Sequence, residues 1–188
     1  MEINFPNGKK LRLLIGDITK IRVDAMVNAA NEALAGGGGV DGAIHRSGGP
    51  SLMRELHAIR KERGGCPTGS AVPTTAGSLP AQHVFHAVGP VYQNGQQGEA
   101  ELLASCYRAC LKLAEDHEVR TISFPSISTG AYGYPMDEAA RIALETVARQ
   151  LRDEHTGVRE VLLVLFDKGS YDVHSKAAEA LFARSQIE

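Results

Sequence analysis

The sequence contains no tryptophan, few other aromatic residues and only three cysteines among its 188 residues. Because the cysteines are sparse and odd in number, we expect a reducing compartment and no disulfide framework. No apolar run approaches the roughly 20 residues that cross a membrane. The first residues, MEINFPNGKK, also lack the basic and then apolar segments of a secretion signal. These absences predict a cytoplasmic protein without a membrane partner.

An excess of positive charge is also absent, since the formal net charge is −2 at pH 7. A protein that binds nucleic acid mainly through its phosphates is usually basic. A surface that stacks single-stranded bases needs aromatic side chains. Nucleic acid is therefore not expected as the main ligand. A small anionic ligand is compatible with this charge, because backbone N–H groups bind phosphate without any lysine.

The sequence motifs of metal sites and of common nucleophilic sites are missing as well. The chain has no Gly-x-Ser-x-Gly elbow and no Gly-x-x-x-x-Gly-Lys-Ser/Thr loop. His83 and His86 fall on a predicted strand, where residues three apart point to opposite faces. Cys106 and Cys110 share a predicted helical face with leucines, which is typical of core positions. We therefore expect neither a metal nor a cofactor.

Apolar runs alternate with amphipathic stretches along the chain. Residues 161–166, VLLVLF, have no polar alternation, which indicates an interior strand buried on both faces. Strands separated by helices predict an α/β fold with helices on both faces of the sheet, in one domain over residues 1–188. Further strands near residues 3–5 and 71–75 would make the sheet mixed. The predicted strands are 11–15, 24–30, 83–88, 121–124 and 161–166, and the predicted helices are 41–47, 51–63, 99–116, 136–151 and 170–183.

Three segments that follow predicted strands are richer in small or polar residues than a connection requires. In open α/β sheets, ligands bind beyond the carboxyl ends of the strands. The first segment is Gly-Asp-Ile-Thr at residues 16–19. The carboxylate of Asp17 could accept a hydrogen bond from the exocyclic amine of a base. Alternatively, Asp17 caps a turn through its own backbone, and the segment taken alone favours this second interpretation.

The second segment comprises Asn28-Ala29-Ala30-Asn31 and then Gly36 to Asp41, with four consecutive glycines at 36–39. We call residues 31–41 the glycine loop. A backbone without side chains can approach a phosphate or a ribose closely. A helix that begins near Asp41 would also direct its positive end toward this loop. The alternative is a flexible surface loop in which Asp41 is the N-cap of that helix.

The third segment, which we call the long loop, comprises residues 126–135, SISTGAYGYP. Its small residues and hydroxyls can present several N–H donors to a diphosphate, and Tyr132 could pack over a sugar. The alternative is an ordinary connection between a strand and a helix. Ten residues exceed the usual length of such a connection, and long ordered loops tend to be functional, so the length favours a functional role.

Several motifs in these segments resemble the macrodomain family, and within it the MacroD-type branch. Asn31 is followed after six residues by Gly38-Gly39-Val40-Asp41, and Gly130-Ala131-Tyr132-Gly133 continues to Tyr134-Pro135. Between these motifs, GCPTG at 65–69, LPA at 79–81 and HAVGP at 86–90 resemble the branch as well. The resemblance extends from about Leu11 to about Ala180, which is nearly the whole chain.

The resemblance implies a three-layer α/β/α fold with a mixed sheet of about six strands and a cleft for ADP-ribose. Asp17 would hold the adenine amine, with the backbone of Ile18 nearby. Phe166 would stack near the adenine, and Asp167 would lie beside the proximal ribose. The residues implied around the diphosphate are Gly38, Gly39, Val40, Ser128, Thr129, Gly130, Ala131 and Tyr132.

The resemblance also implies hydrolysis of ADP-ribose esters on acidic side chains of partner proteins and of O-acetyl-ADP-ribose. Asn31 and Asp41 would lie at the distal ribose, where Asn31 fixes the hydroxyls. The reaction needs a water aimed at the anomeric carbon or at the ester carbonyl. A carboxylate within hydrogen-bond reach can orient that water and accept its proton. Asp41 is the candidate, and the ligand's own phosphate could share the task of holding the water. The alternatives are a monomeric reader that binds ADP-ribose without turnover, and a nucleic-acid-binding macrodomain. The presence of both Asn31 and Asp41 argues against the reader. We expect a monomer in each case.

Overall fold

Seven strands form one mixed sheet at the centre of the computed structural model, which describes residues 1–183 together with 186 and 187. In chain order the strands are β1 (Glu2–Asn4), β2 (Lys10–Ile15), β3 (Ala25–Ala30), β4 (Ala71–Thr75), β5 (His83–Val88), β6 (Thr121–Phe124) and β7 (Glu160–Leu165). Across the sheet their order is β1-β2-β7-β6-β3-β5-β4. The expected count of about six is corrected to seven, because both additional segments pair with the sheet as its edges.

The five inner strands run parallel, and the two edge strands run antiparallel to their neighbours. The parallel strands therefore end at one common edge of the sheet, where a ligand site is expected. Strand β4 contains Pro73, which has no backbone N–H to donate to a ladder. Proline is tolerated at a sheet edge for that reason, and among the strands that the structure describes β4 pairs only with β5.

The interior strand predicted from VLLVLF is confirmed for residues 161–165, whereas Phe166 lies beyond its end and is exposed. Strand β7 lies between β2 and β6, and its residues Val161 to Leu165 are at most 5% exposed. Each such Val or Leu side chain stabilises the fold by roughly 1.5–3 kcal/mol when it is fully buried. This strand therefore anchors the middle of the sheet, from which the cleft segments extend.

Five α-helices cover the two faces of the sheet, as the α/β/α prediction requires. They are α1 (Gly39–Gly48), α2 (Pro50–Arg63), α3 (Glu99–Asp116), α4 (Met136–Arg152) and α5 (Lys168–Leu181). Side chains from α3, α4 and α5, such as Leu103, Leu144 and Ala178, pack in one apolar cluster. Ile44 of α1 and Leu52 of α2 pack in a second cluster. In residues 1–183, no helix is long and apolar enough to cross a membrane.

The cysteines occupy core positions. Cys106 and Cys110 lie on the buried face of α3, as predicted, and Cys66 is also buried. None of the three forms a disulfide. Burial raises the pKa of the Cys66 thiol to about 11 and that of Cys106 to about 12. Thiols with such pKa values are poor nucleophiles, so these cysteines contribute packing.

Candidate functional site

A cleft of about 880 Å³ opens where strands β2, β3, β6 and β7 end. The three segments singled out in the sequence all line it, although they are separated by long stretches of chain. Every predicted site residue except Asp167 is in its wall. The cleft residues that had been predicted are Asp17, Ile18, Asn31, Gly38, Gly39, Val40, Asp41, Ser128, Thr129, Gly130, Ala131, Tyr132 and Phe166.

Asp17 stands at one end of the cleft, directly after β2. Its Oδ1 accepts hydrogen bonds from the backbone N–H of Thr19 at 3.0 Å and from the Thr19 hydroxyl at 2.6 Å. The hydroxyl hydrogen bond is the main reason that the pKa of Asp17 is lowered. The capping alternative is therefore confirmed for Oδ1. Oδ2 has no hydrogen-bond partner among the described residues, so the same carboxylate remains available to a ligand.

Phe166 follows β7 at the same end and is 86% exposed, although it is a large apolar side chain. It lines the cleft together with Asp17 and Ile18. An exposed aromatic ring beside a carboxylate is the arrangement that a purine base needs, because the ring offers a stacking surface and the carboxylate an acceptor. Asp167 lies outside the cleft wall. Its carboxylate accepts from the backbone N–H of Ser170 at 2.8 Å and caps α5.

Asn31 organises the glycine loop from within. Its Nδ2 donates to the carbonyl oxygen of Gly36 at 2.9 Å, and its Oδ1 accepts from the backbone N–H of Ala35 at 3.1 Å. The loop is therefore held by its own first residue, and the flexible-loop alternative is not supported. The predicted contact of Asn31 with ribose hydroxyls stays a prediction, because both ends of this amide already hold the loop.

Asp41 lies at the end of the glycine loop and is 5% exposed. Gly38 is the N-cap of α1 and Asp41 lies in the first helical turn, so the interpretation of Asp41 as the N-cap is wrong. Its Oδ1 accepts from Nδ2 of Asn28 at 2.8 Å and lies 3.3 Å from Nε2 of His45. Its Oδ2 lies on the side of Gly37 and has no hydrogen-bond partner among the described residues.

A buried chain of polar groups fixes this carboxylate from behind. Nδ2 of Asn28 also lies 3.0 Å from Nδ1 of His86, to which it directs its second N–H. Nε2 of His86 lies 2.9 Å from the Thr74 hydroxyl oxygen. That hydroxyl donates to the carbonyl of Thr75. It therefore accepts from His86, which carries its proton on Nε2 and accepts from Asn28 on Nδ1. Asp41 thus keeps one fixed oxygen and one available oxygen.

Burial, together with the smaller effect of the neighbouring His45, lowers the pKa of His86 to about 3. The imidazole is therefore neutral at physiological pH, as the hydrogen-bond chain requires. The unfolded chain takes up a proton on this group below its ordinary pKa of 6.5, whereas the folded protein does so only near 3. The contribution of His86 to stability is consequently full above pH 6.5 and declines as the pH falls toward 3.

The long loop has an unusual backbone at Ser128, whose φ is +67° although it is not a glycine. Such left-handed residues cost about 1–3 kcal/mol and are often found at functional sites. The backbone N–H groups of Ser128, Gly130 and Ala131 have no acceptor among the described residues. Across the cleft, the first turn of α1 leaves its own N–H groups without helical acceptors. Both segments line the cleft, so its wall contains two sets of N–H groups without protein acceptors.

Gly89, at the end of β5, makes the Ser128 conformation possible. A Cβ atom on Gly89 would lie 2.2 Å from Oγ of Ser128 and 2.6 Å from the Ile127 side chain. Any other residue there would displace the long loop. The sequence offered a signal for this position, since Gly89 and Pro90 stop an apolar strand, but a close approach of two loops cannot be predicted from either one.

A second brace for the long loop is the carboxylate of Glu99, at the start of α3. It is 2% exposed and accepts hydrogen bonds from the backbone N–H groups of Gln93, Asn94, Gly95 and Gln97. The segment that it holds begins at Tyr92. The Tyr92 N–H donates to the carbonyl of Tyr132 at 2.8 Å, so Glu99 stabilises a support of the cleft.

Glu99 should make the protein sensitive to acid. Burial raises the pKa of this carboxyl, but the backbone N–H donors outweigh burial, so the pKa is about 2 instead of the usual 4.5. Its stabilising effect is therefore full above pH 4.5 and is lost as the pH falls toward 2. We expect Glu99→Gln to lower the melting temperature by several degrees at pH 7 and by much less at pH 3.

Thermal melts of both proteins at the two pH values measure this effect. The loss of stability that His86 causes at low pH is common to the wild type and Glu99→Gln, so it cancels in the difference between their melting temperatures. Glu101→Gln, two residues along the same helix with an exposed side chain, is the matched control and should melt close to the wild type at pH 7. A melting difference for Glu99→Gln that is as large at pH 3 as at pH 7 would contradict the assignment.

Residues that the sequence interpretation missed complete the site. His45 stands one helical turn after Asp41, and this i, i+4 spacing was a signal that could have been used. Arg46, also in the cleft wall, follows it. Asn28 begins the second segment and His86 lies on a predicted strand, but the sequence does not indicate that they support Asp41. Within residues 1–183, 186 and 187, no group of three His, Cys, Asp or Glu side chains is placed to hold a metal ion.

Comparisons with known proteins agree with this geometry. A family model described as "Macro domain" matches residues 27–143. A macro domain-containing protein of Caldanaerobacter subterraneus subsp. tengcongensis is 55% identical over 173 residues, which cover 92% of this chain and 98% of the relative. A protein of Pantoea vagans named O-acetyl-ADP-ribose deacetylase 1 is 49% identical over 168 residues, which cover 89% of this chain and 98% of the relative.

A solved structure resembles the chain over nearly its full length. It is a variant of the Oceanobacillus iheyensis macrodomain with ADP-ribose, and it is 41% identical with a TM-score of 0.90. The match covers 96% of this chain and 97% of that one. The similarity therefore includes the sheet, both helical layers and all three segments that line the cleft.

Proposed function

Because this chain belongs to the macrodomain family, we propose that it binds ADP-ribose in the cleft and hydrolyses ADP-ribosyl esters. The substrates are O-acetyl-ADP-ribose and proteins that carry mono-ADP-ribose on acidic side chains. The observation that carries the proposal is the state of Asp41. It is a buried carboxylate with one oxygen fixed by Asn28 and the other available, next to two sets of N–H donors.

The cleft offers each part of ADP-ribose a suitable partner. Phe166 and Oδ2 of Asp17 provide a stacking surface and an acceptor for the adenine. The free N–H groups of Ser128, Gly130 and Ala131, together with the positive end of α1, suit a diphosphate. These N–H groups explain how a protein with a net charge of −2 can bind a dianion. The distal ribose then lies toward Asp41.

Ester hydrolysis at that ribose requires a water molecule and a group that accepts its proton. The water oxygen forms a bond to the ester carbon, the bond to the leaving oxygen breaks, and the water proton passes to Asp41 and then to the leaving group. Oδ2 of Asp41 is the acceptor, since Oδ1 is occupied by Asn28 and His45. General base catalysis of this kind contributes typically 10²–10⁴-fold.

The relative named O-acetyl-ADP-ribose deacetylase supports the choice of ester chemistry. An ADP-ribosyl ester of a glutamate or aspartate side chain has the same bond as O-acetyl-ADP-ribose, between a ribose oxygen and an acyl carbon. A cleft that positions the ribose and a water for one ester therefore positions them for the other. The acceptor polypeptide would leave the cleft at the distal ribose.

An assay for release of free ADP-ribose tests the proposal. The protein is incubated with O-acetyl-ADP-ribose and, separately, with a protein that is mono-ADP-ribosylated on glutamate. We expect release from both substrates. Binding of ADP-ribose without release from either ester would instead identify a reader, in which Asp41 has only a structural role.

Asp17→Ala should weaken ADP-ribose binding by about tenfold or more. The variant loses a charged acceptor for the adenine amine, and a hydrogen bond to a charged group contributes roughly 1.5–3 kcal/mol. Calorimetric titration measures the change. Because Asp17 also caps the turn at Thr19, a thermal melt must accompany the titration. Unchanged affinity in a folded variant would leave Asp17 with its capping role alone.

A further inference from the structure

A second, shallower cavity lies on the outer side of the glycine loop and contains positive charge. Its volume is about 400 Å³, and Pro50, Met53, Arg54, His57 and Arg60 of α2 line it. None of these lining residues is acidic. We call this cavity the α2 groove.

The glycine loop lines the cleft and is contacted on its other side by residues that line the α2 groove. On the cleft side, Asn31 bonds to the carbonyl of Gly36 at 2.9 Å. On the groove side, Nη1 of Arg60 donates to the carbonyl of Leu34 at 3.0 Å. A Cβ atom on Gly36 would lie 3.3 Å from Cε of Met53. Arg60 and Met53 of the groove therefore pack against the loop that lines the cleft.

The groove has hydrogen-bond donors on its surface, and the nearby carboxylate of Glu55 is hydrogen-bonded to other groups. Arg54 is exposed and has no ion-pair partner among the described residues. Arg60 donates through Nη2 to Nδ1 of His57 at 3.0 Å, which leaves Nε2 of His57 as a donor. Glu55, the acidic neighbour of Arg54, accepts from the backbone and the hydroxyl of Thr75 with its two oxygens.

We propose that the α2 groove binds an acidic segment of the acceptor polypeptide, next to the side chain that carries ADP-ribose. The proposal rests on the proposed function, because the modified side chain must stand at Asp41. A polypeptide that leaves the distal ribose then reaches the far side of the glycine loop. There, two guanidinium groups without a competing carboxylate attract Asp and Glu residues, and complementary charge of this kind selects partners and speeds encounter.

Three substrates distinguish peptide binding in the α2 groove from ester hydrolysis in the cleft. The first is O-acetyl-ADP-ribose, which has no polypeptide. The second is a peptide with one ADP-ribosylated glutamate flanked by Asp and Glu. The third is the same peptide flanked by Ser and Gly. We expect the wild type to show a kcat/KM about tenfold higher for the acidic peptide than for the neutral one, with an advantage that shrinks as salt is added.

Arg54→Glu is the informative variant, because Arg54 is exposed and lies outside the cleft wall. Arg60 is unsuitable, since it holds the glycine loop at Leu34. Arg54→Glu should remove the preference for the acidic peptide, mainly through KM, and leave O-acetyl-ADP-ribose turnover unchanged. Arg149→Glu is the matched control, because Arg149 is an exposed arginine on α4, which packs in the opposite helical layer. It should retain the preference.

The wild type could show equal kcat/KM for the two peptides while it still hydrolyses O-acetyl-ADP-ribose. That result would overturn the role of the α2 groove in peptide binding and leave the proposed function intact. An equal loss in Arg149→Glu would also overturn it, since only overall charge would then matter. If Arg54→Glu weakened binding of an oligonucleotide but did not change peptide turnover, the groove would be a nucleic-acid site. If no ester is hydrolysed, titration with the two ADP-ribosylated peptides still tests whether the α2 groove binds an acidic segment. Tighter binding of the acidic peptide would support the proposal, and equal affinity for the two peptides would overturn it.

Discussion

Asp41→Ala should lower the turnover of ADP-ribosyl esters by roughly 10²–10⁴-fold while ADP-ribose binding persists. The variant loses the carboxylate that accepts the water proton, whereas the N–H donors for the diphosphate lie on the backbone and remain. Single-turnover release of ADP-ribose measures the first effect, and calorimetric titration measures the second. No other single substitution in the cleft should separate binding from chemistry as widely.

The buried position of Asp41 makes a second variant necessary. Alanine leaves one N–H of the Asn28 amide without an acceptor, and a buried donor without a partner costs about 1–3 kcal/mol. Asp41→Asn keeps the shape and an oxygen that can accept from Asn28, but it cannot take up the proton. It should lose turnover to the same degree with a smaller fall in melting temperature. Wild-type turnover in folded Asp41→Asn would remove Asp41 from the mechanism.

Gly130→Glu should abolish binding and turnover together. The substitution places a negative side chain beside the free N–H groups of the long loop, and like charges brought together in this way cost several kcal/mol. We expect affinity for ADP-ribose to fall by about 100-fold or more. The fold should tolerate the change, because Gly130 has no positive φ and a Cβ atom there meets no atom within 4 Å.

Gly157→Glu is the matched control for this experiment. Gly157 also lacks a positive φ, and a Cβ atom there meets nothing within 4 Å. It lies between α4 and β7, outside the cleft wall. The two variants add the same charge to equally open positions, so a loss of affinity in both would point to overall charge. Retained ADP-ribose affinity in Gly130→Glu would show that the long loop does not face the diphosphate.

Apolar periodicity was sufficient to predict the helices and strands. The predicted ranges of β4, β5, β6 and α3 match the structure residue for residue, because each is bounded by residues that interrupt its pattern. The starts of α1 and α5 were predicted two residues too late. Glycine was not expected to begin α1, and the carboxylate of Asp167 extends α5 by capping it.

The positions of the cleft segments could be predicted, but their contacts could not. All three follow parallel strands, so a common edge was expected. The partners of Asp41 depend on the strand register, which places Asn28 opposite His86 across β3 and β5, and a single sequence does not reveal that register. Nothing in the sequence indicated that Ser128, which is not a glycine, adopts a positive φ.

The polar chain behind Asp41 connects the carboxylate to the edge of the sheet. It passes from α1 through Asn28 of β3 and His86 of β5 to Thr74 of β4. Thr74 accepts from Nε2 of His86, so the tautomer that lets His86 accept from Asn28 depends on this edge strand. The orientation of Asp41 therefore depends on β4, although no residue of β4 is in the cleft wall.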